Sequence, residues 1–513
     1  MNSNARCRLA GIQRKRIDHK SSSSLETVIA ILLLGTVIIL ANSEVPINGQ
    51  GYSSTKYVDD DTIKLSVEPF RPGNNIMEIE FLDSAGNPID IRTVEMQVAK
   101  SAVEAKVSPT EIQTEKGSDG LFTANVLFDV AGEWELFIEG VRNDNPAQNI
   151  ATTFKVFVRP DLDQLDFSVT RIPMPSNTSQ PLFPIYDSSR NAIWVGDSAL
   201  DSGRIFEYDI TNGKYTEHKI KGTKIITFMA LDSSNTQLWF IDPVTRVLGL
   251  YNLKTNSTQL YDFPYDRIVP SSIALQGREN TIDMPAIENE RWENADGSSN
   301  DSADTVWITS PNTNEVLIFD TALGNFTNTL ILPTPNSIPL GIAIDSATGE
   351  SWVAEGAGKI AHIDQKNITR SKFVNITEFT PMTGALLSPT AVLIDPYTGL
   401  IYVSEHGGRG VSAFDPSLRT FTHFAPLSMD VLPFGLAIDS YRNLWVAEHV
   451  TNRIAVIDLT NEKYKEVTIP SSTPFVQYLA SDNDGRIWFA EQRGNALGYI
   501  TPTPRPLVVN ATQ

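Results

Sequence analysis

Six acidic side chains recur at one point of a repeated pattern. Asp197, Asp242, Glu355, Glu405, Glu448 and Glu491 each stand three residues after an aromatic residue, and Ser310 fills a seventh such position. Two of the acids are followed by histidine, in Glu405-His406 and Glu448-His449. Carboxylates held close together either raise one another's pKa or are neutralised by a cation, and an all-oxygen ligand set suits Mg or Ca. Imidazoles beside them titrate near neutral pH and have the chemistry of general bases. This reading makes Glu355, Glu405, Glu448 and Glu491 the metal ligands and His406 and His449 the catalytic pair. A second reading is architectural: an acid repeated at a strand end accepts hydrogen bonds from the amides of the following turn. The residues alone leave both readings open.

The elements that position these acids repeat with them. PIYDSSRNAIWVGD (184–197), ALDSSNTQLWFID (230–242), GIAIDSATGESWVAE (341–355), VLIDPYTGLIYVSE (392–405), GLAIDSYRNLWVAE (435–448) and YLASDNDGRIWFAE (478–491) are copies of one unit. A seventh copy is split, SSIALQ (271–276) resuming at VWITS (306–310) after an acidic, polar insertion over 277–303 that reads as a surface loop. Several short strands per unit, with compact units in the forties, are the signature of a β-propeller. In such a ring the start of each first strand and the end of each second strand share one face. The repeated acids would therefore surround the funnel mouth. The last blade lacks an outer strand, and FSVTRIP (167–173) resembles the outer strands of the others, so it is expected to complete blade seven and leave no bare edge. Asp187, Asp232, Asp345, Asp395, Asp439 and Asp482 close first strands before turn residues and are expected in Asx turns. Trp194, Trp239, Trp307, Trp352, Tyr402, Trp445 and Trp488 are expected to pack between blades. His218, His362 and His423 fall in outer segments and receive no role.

Residues 57–160 alternate apolar and polar side chains over 63–67, 76–82, 93–99, 122–128, 133–138 and 152–158, with turn signals such as RPGNN between. Six or seven short strands in a hundred residues imply an immunoglobulin-like sandwich. The whole chain is thus read as all-β: a seven-bladed β-propeller (165–502, with a tail at 503–513) preceded by an immunoglobulin-like β-sandwich and one N-terminal transmembrane or signal helix. That helix is TVIAILLLGTVIILA within 27–43, after a basic segment over 1–26 and before a polar tether over 44–56. It is read as an anchor placing the body on the extracytoplasmic side of a cell membrane, with cleavage and secretion as the alternative.

Of the formal charge of -20, residues 1–42 contribute +4, so the remaining chain carries -24. So acidic a body repels phosphate backbones, which argues against nucleic acid as a partner. The one cysteine, Cys7, lies before the apolar run, so no disulfide closes the ring.

Two family resemblances follow from particular lines. DSAGNPID (83–90) with GLFTANVLFDVAGEWELFIE (120–139) resembles the YtkA-like sandwich domains associated with copper-resistance proteins. Copper would need His, Met or Cys ligands, yet the sandwich offers only Met77 and Met96. WVAEHVTNRIAVID (445–458) and WFAEQRGNALGYI (488–500) resemble the streptogramin lyase (virginiamycin B lyase) propellers. That resemblance implies elimination of an ester in a cyclic depsipeptide by a Mg-assisted histidine base. The family's histidines follow proline at the start of late first strands, where this chain has Pro433-Phe434 and Pro474-Phe475. Its ligand acid is matched by Thr473, and Glu491 alone survives.

The functional expectation is therefore a surface-displayed binding module whose acidic mouth takes a cation, a small molecule, a glycan or a protein. The alternative is a metal-dependent lyase or lactonase-like enzyme using Glu405, Glu448 and Glu491 with His406 or His449. Copper handling is a third and weaker reading.

Overall fold

The computed structural model describes residues 52–100, 109–118, 120–276, 305–345, 348–364, 374–424, 427–461 and 463–505. The basic segment, the apolar run and the insertion over 277–303 lie outside the described residues. Among those described, no helix is long and apolar enough to cross a membrane.

Strict two-residue alternation builds the sandwich, because successive side chains leave a strand on opposite faces. In Asp61–Glu68 the residues Ile63, Leu65 and Val67 turn inward and are fully buried. One sheet orders Tyr52–Val58, Asp61–Glu68, Gly73–Leu82, Phe122–Phe128 and Thr114–Lys116; the other orders Thr110–Ile112, Ile91–Lys100, Gly132–Arg142 and Ile150–Val158. All pairs are antiparallel. The strand Tyr52–Val58 lies where a tether was expected. Its polar sequence, YSSTKYV, belongs to a sheet edge and pairs with 61–67. Met77 and Met96 are core residues packed with Ile79, Val98 and Phe122.

Among the described residues, seven four-stranded antiparallel sheets follow. Their first strands start at Pro181, Met229, Ser272, Pro339, Pro389, Pro433 and Leu479. Leu165–Pro173 supplies the outer strand of blade seven, pairing with Ala496–Pro504 from Leu165 opposite Pro504 to Pro173 opposite Ala496. The ring closes by this exchange, as its sequence implied.

The repeated aromatics hold the sheets together. Trp194 packs on Leu238 and Phe240 of blade two, Trp239 on Val306 and Ile308 of blade three, and Trp307 on Val353 of blade four. Trp352, Tyr402 and Trp445 continue the order onto blades five, six and seven, and Trp488 packs against Ile193 and Phe206 of blade one. Each buried indole removes roughly 200 Å² from water, worth about 4–6 kcal/mol of transfer free energy. Near the axis, glycine is required. A Cβ at Gly341 would lie 2.5 Å from the Thr390 carbonyl oxygen, and one at Gly435 would lie 2.5 Å from that of Gln477.

Charged side chains lock the sandwich to blade six on the face opposite the mouth. Arg71 reaches Asp161 (3.3 Å), Asp458 (3.3 Å) and the Thr460 hydroxyl. Arg159, 6 % exposed, donates to the backbone carbonyls of Tyr441 (3.0 Å) and Arg442. The Arg442 guanidinium in turn lies 5.1 Å from the Phe157 ring centre.

Candidate functional site

The strand-end acids sit where the propeller geometry predicts, but they turn into their own blades. Asp197 accepts from the amides of Gln180 and Ala199 and pairs with Arg204 at 2.7 Å. Asp242 accepts from the amides of Lys224, Val244 and Thr245. Glu405 accepts from the Leu387 amide (2.8 Å) and the Ser412 hydroxyl (2.6 Å) and pairs with His423 Nδ1 at 2.8 Å. Glu448 takes Arg453 Nε at 3.0 Å and Thr451 Oγ1 at 3.1 Å. Glu491 takes both branches of an interaction with Arg171 Nε, at 2.9 and 3.1 Å, so the closing strand is also an ionic clamp. All six are nearly or wholly buried.

The expected ligand set of Glu355, Glu405, Glu448 and Glu491 is not brought to one point. Among the described residues, no group of three or more His, Cys, Asp or Glu side chains is placed to hold a metal ion. The turns and basic residues of their own blades engage the carboxylates of Asp197, Asp242, Glu405 and Glu491, and one oxygen of Glu448, whereas Glu355 and the other Glu448 oxygen stay buried without a donor among the described residues. His423, given no role from sequence, is the partner of Glu405; its link is a contact between second and outer strands. His362 stands in the third strand Lys359–Ile363 rather than in an outer one.

Electrostatics separates these acids. Burial alone would raise Glu405, but hydrogen bonds from His423, Ser412 and the Leu387 amide hold it below the ordinary carboxylate range. The Glu405 contact raises His423. Glu448 is pushed up to about 7 by burial and the nearby Glu466 charge, against the pull of Arg453. Glu355 differs most. Both its oxygens are buried without a hydrogen-bond partner among the described residues, and burial, followed by the charge of Glu378, pushes it up to about 8. Lys359 spends its ammonium on Glu378 (2.7 Å) and Thr334 (2.6 Å) instead.

The structure does bring the two histidines together. The acid turns into the blade, so the next side chain turns toward the mouth. His406 Nε2 lies 3.4 Å from His449 Nδ1, and His449 Nε2 lies 3.1 Å from the Gln477 side-chain amide. Each histidine is fixed through its own backbone: His406 N–H donates to the Ser388 carbonyl (3.1 Å) and His449 N–H to that of Leu432 (3.0 Å). Burial lowers His406; burial, then His406 and Arg493, bring His449 down to about 4. Both rings are neutral near pH 7.

Aromatic residues frame the pair. Phe475 lies 4.3 Å and Phe434 5.1 Å from His449 between ring centres, and the Arg493 guanidinium covers Phe475 at 3.7 Å. These phenylalanines occupy the two Pro-x positions singled out in the sequence. Deeper along the axis, first strands of all seven blades line a cavity of about 250 Å³, with Phe183, Phe228 and Phe434 gathered around Tyr478 at 4.6, 5.9 and 5.2 Å. Sequence reasoning missed Gln477, Tyr478 and Arg493. Tyr478 was visible only as one apolar position in a repeat.

The Asx-turn expectation holds at several first-strand ends. Asp439 and Asp482 also accept the indole N–H of Trp445 (2.8 Å) and Trp488 (2.7 Å), tying the two repeated positions into one unit.

No protein-family model matches the chain. Solved structures share its propeller fold. Virginiamycin B lyase from Staphylococcus aureus aligns with a TM-score of 0.53 and 18% identity over 66% of this chain and 99% of that one. A catalytically inactive His-to-Ala form of that enzyme with quinupristin aligns at 0.52 and 19% over the same shares. A streptogramin B lyase structure aligns at 0.53 and 15%, over 66% and 98%. Among curated proteins, the copper transport protein CutJ of Bacillus subtilis (strain 168) is 23% identical over 128 residues. That match spans about a quarter of this chain and of CutJ.

Proposed function

We propose that this chain is a membrane-anchored, extracytoplasmic binding protein rather than a lyase. The sandwich serves as the spacer, and the propeller mouth around His406, His449, Phe434, Phe475 and Arg493 receives a small-molecule or glycan ligand. The observation that carries this reading is the pair of phenylalanines at the two positions where the lyase resemblance puts catalytic histidines. His449 is poorly suited to replace them as a base, since a general base is most effective with a pKa near the working pH and burial brings His449 down to about 4. No carboxylate orients either imidazole among the contacts described. An exposed guanidinium stacked on an aromatic face, with a polar amide beside it, is suited to ring stacking and to one or two orienting hydrogen bonds. A copper role for the sandwich gains no support from Met77 and Met96, both inside its core.

Incubation with quinupristin is expected to leave the depsipeptide intact. A ligand found by thermal-shift screening of glycans and small carboxylated molecules should lose its effect in Phe475→Ala. Linearisation of quinupristin by the wild-type protein, abolished in His449→Ala, would overturn the proposal in favour of a relocated lyase site.

A further inference from the structure

We infer that His406 and His449 form a two-imidazole chelate for a tetrahedral divalent transition-metal ion of the Zn(II) type, for which Cu(II) serves as a spectroscopic probe. The geometry carries the argument. Two nitrogens bound at about 2.0–2.1 Å to one tetrahedral ion stand roughly 3.3–3.4 Å apart. His406 Nε2 and His449 Nδ1 are 3.4 Å apart. The same separation lies beyond the about 2.7–3.2 Å range of ordinary N–H to O hydrogen bonds, so any hydrogen bond between the rings is weak.

Three further features fit a metal pair. First, the rings hang from adjacent blades, each fixed by a backbone hydrogen bond to the residue before its blade's first proline, so the gap between them is set by rigid elements. Second, His449 has an outer partner. Gln477 faces Nε2 at 3.1 Å, and with its amide rotated so that oxygen faces the ring it accepts the Nε2 proton. That fixes the Nδ1 lone pair toward His406, the arrangement in which a ligating histidine donates its other N–H to a neighbouring acceptor. Third, the aromatic walls of Phe434 and Phe475 cover one side, whereas both histidines remain partly exposed on the mouth side, where water can complete the coordination. Imidazole without carboxylate selects a borderline transition ion over Mg or Ca. The nearby Arg493 cation opposes positive charge at His449, so an anion entering beside the water would offset that repulsion.

This inference goes beyond the binding reading, and it is read with metal alone, so the two fail separately. The untagged full-length chain is dialysed against chelator, then titrated with CuSO4 and separately with ZnCl2. The expected result is one equivalent of ion more than a His406→Gln/His449→Gln double variant retains. The Cu(II) electron paramagnetic resonance spectrum should show coupling to at least two imidazole nitrogens. Each single His→Gln change should weaken binding at least tenfold, Gln477→Leu about tenfold, and His423→Gln not at all. Equal uptake by wild type and the double variant would overturn the assignment. If the variant does not fold, as judged by circular dichroism, the wild-type spectrum decides: fewer than two coupled nitrogens also overturns it.

Discussion

Glu355 should make the protein less stable as the solution becomes alkaline, and Glu355→Gln should remove that dependence. The carboxyl is fully buried, its oxygens find no donor among the described residues, and the nearby Lys359 cation is engaged elsewhere. Its pKa moves from 4.5 to about 8, so the folded state holds a proton that the unfolded state releases. A raised carboxyl lowers stability progressively between those two values as pH rises, and the full penalty is reached above the folded one. Each tenfold change in proton affinity is worth about 1.4 kcal/mol. From pH 6 to pH 9 this group should therefore remove about 2–3 kcal/mol of unfolding free energy. Urea denaturation of both proteins at the two pH values isolates the effect, because groups common to both cancel in the difference. Glutamine has nearly the same volume and can donate to Glu378. The variant is expected to gain on wild type by that amount between pH 6 and pH 9. Parallel pH profiles for the two proteins would show that Glu355 is ionised and solvated, and the account of blade four would be wrong.

Three other outcomes follow from the same contacts. Arg171→Ala strands a buried carboxylate on Glu491, and removing one member of such a pair should cost about 3 kcal/mol in a denaturant midpoint experiment. Trp445→Ala opens a cavity between blades six and seven and should cost about 3–5 kcal/mol by the same measurement. Arg159→Met leaves the Tyr441 and Arg442 carbonyls without their donor and should split a single calorimetric transition into separate sandwich and propeller transitions; a single transition at an unchanged midpoint would contradict the lock.

The propeller was legible because its repeat combines an apolar run, a turn acid and an aromatic at fixed spacing, and Trp445 and Asp439 indeed form one hydrogen-bonded unit. The closing strand was legible as well, since an unpaired edge demands a partner and 167–173 was left over. The destination of the acids was not. Strand alternation places Glu491 at a strand end, yet its partner Arg171 lies 320 positions away, and nothing local announces the pairing. Glu405 and His423 are separated by a whole third strand in the same way. The proximity of His406 and His449 follows from one repeat step between adjacent blades, but the distance between them is set by how blades five and six pack, which no local sequence signal gives. Tyr52–Val58 was hidden because an edge strand half covered by solvent tolerates the Ser, Thr and Lys composition of a linker.

The strand exchange in blade seven also determines how the molecule bears load. Leu165 stands opposite Pro504, so the incoming and outgoing ends of the ring leave from the same corner of one sheet. Tension between the sandwich and the C-terminus would open that ladder rung by rung from the corner instead of shearing all its rungs at once. The Arg71 and Arg159 contacts to blade six stand in the path of that force and would share it before the first rung parts. The seam that completes the ring is thus also its designated tear line, guarded by the domain that precedes it.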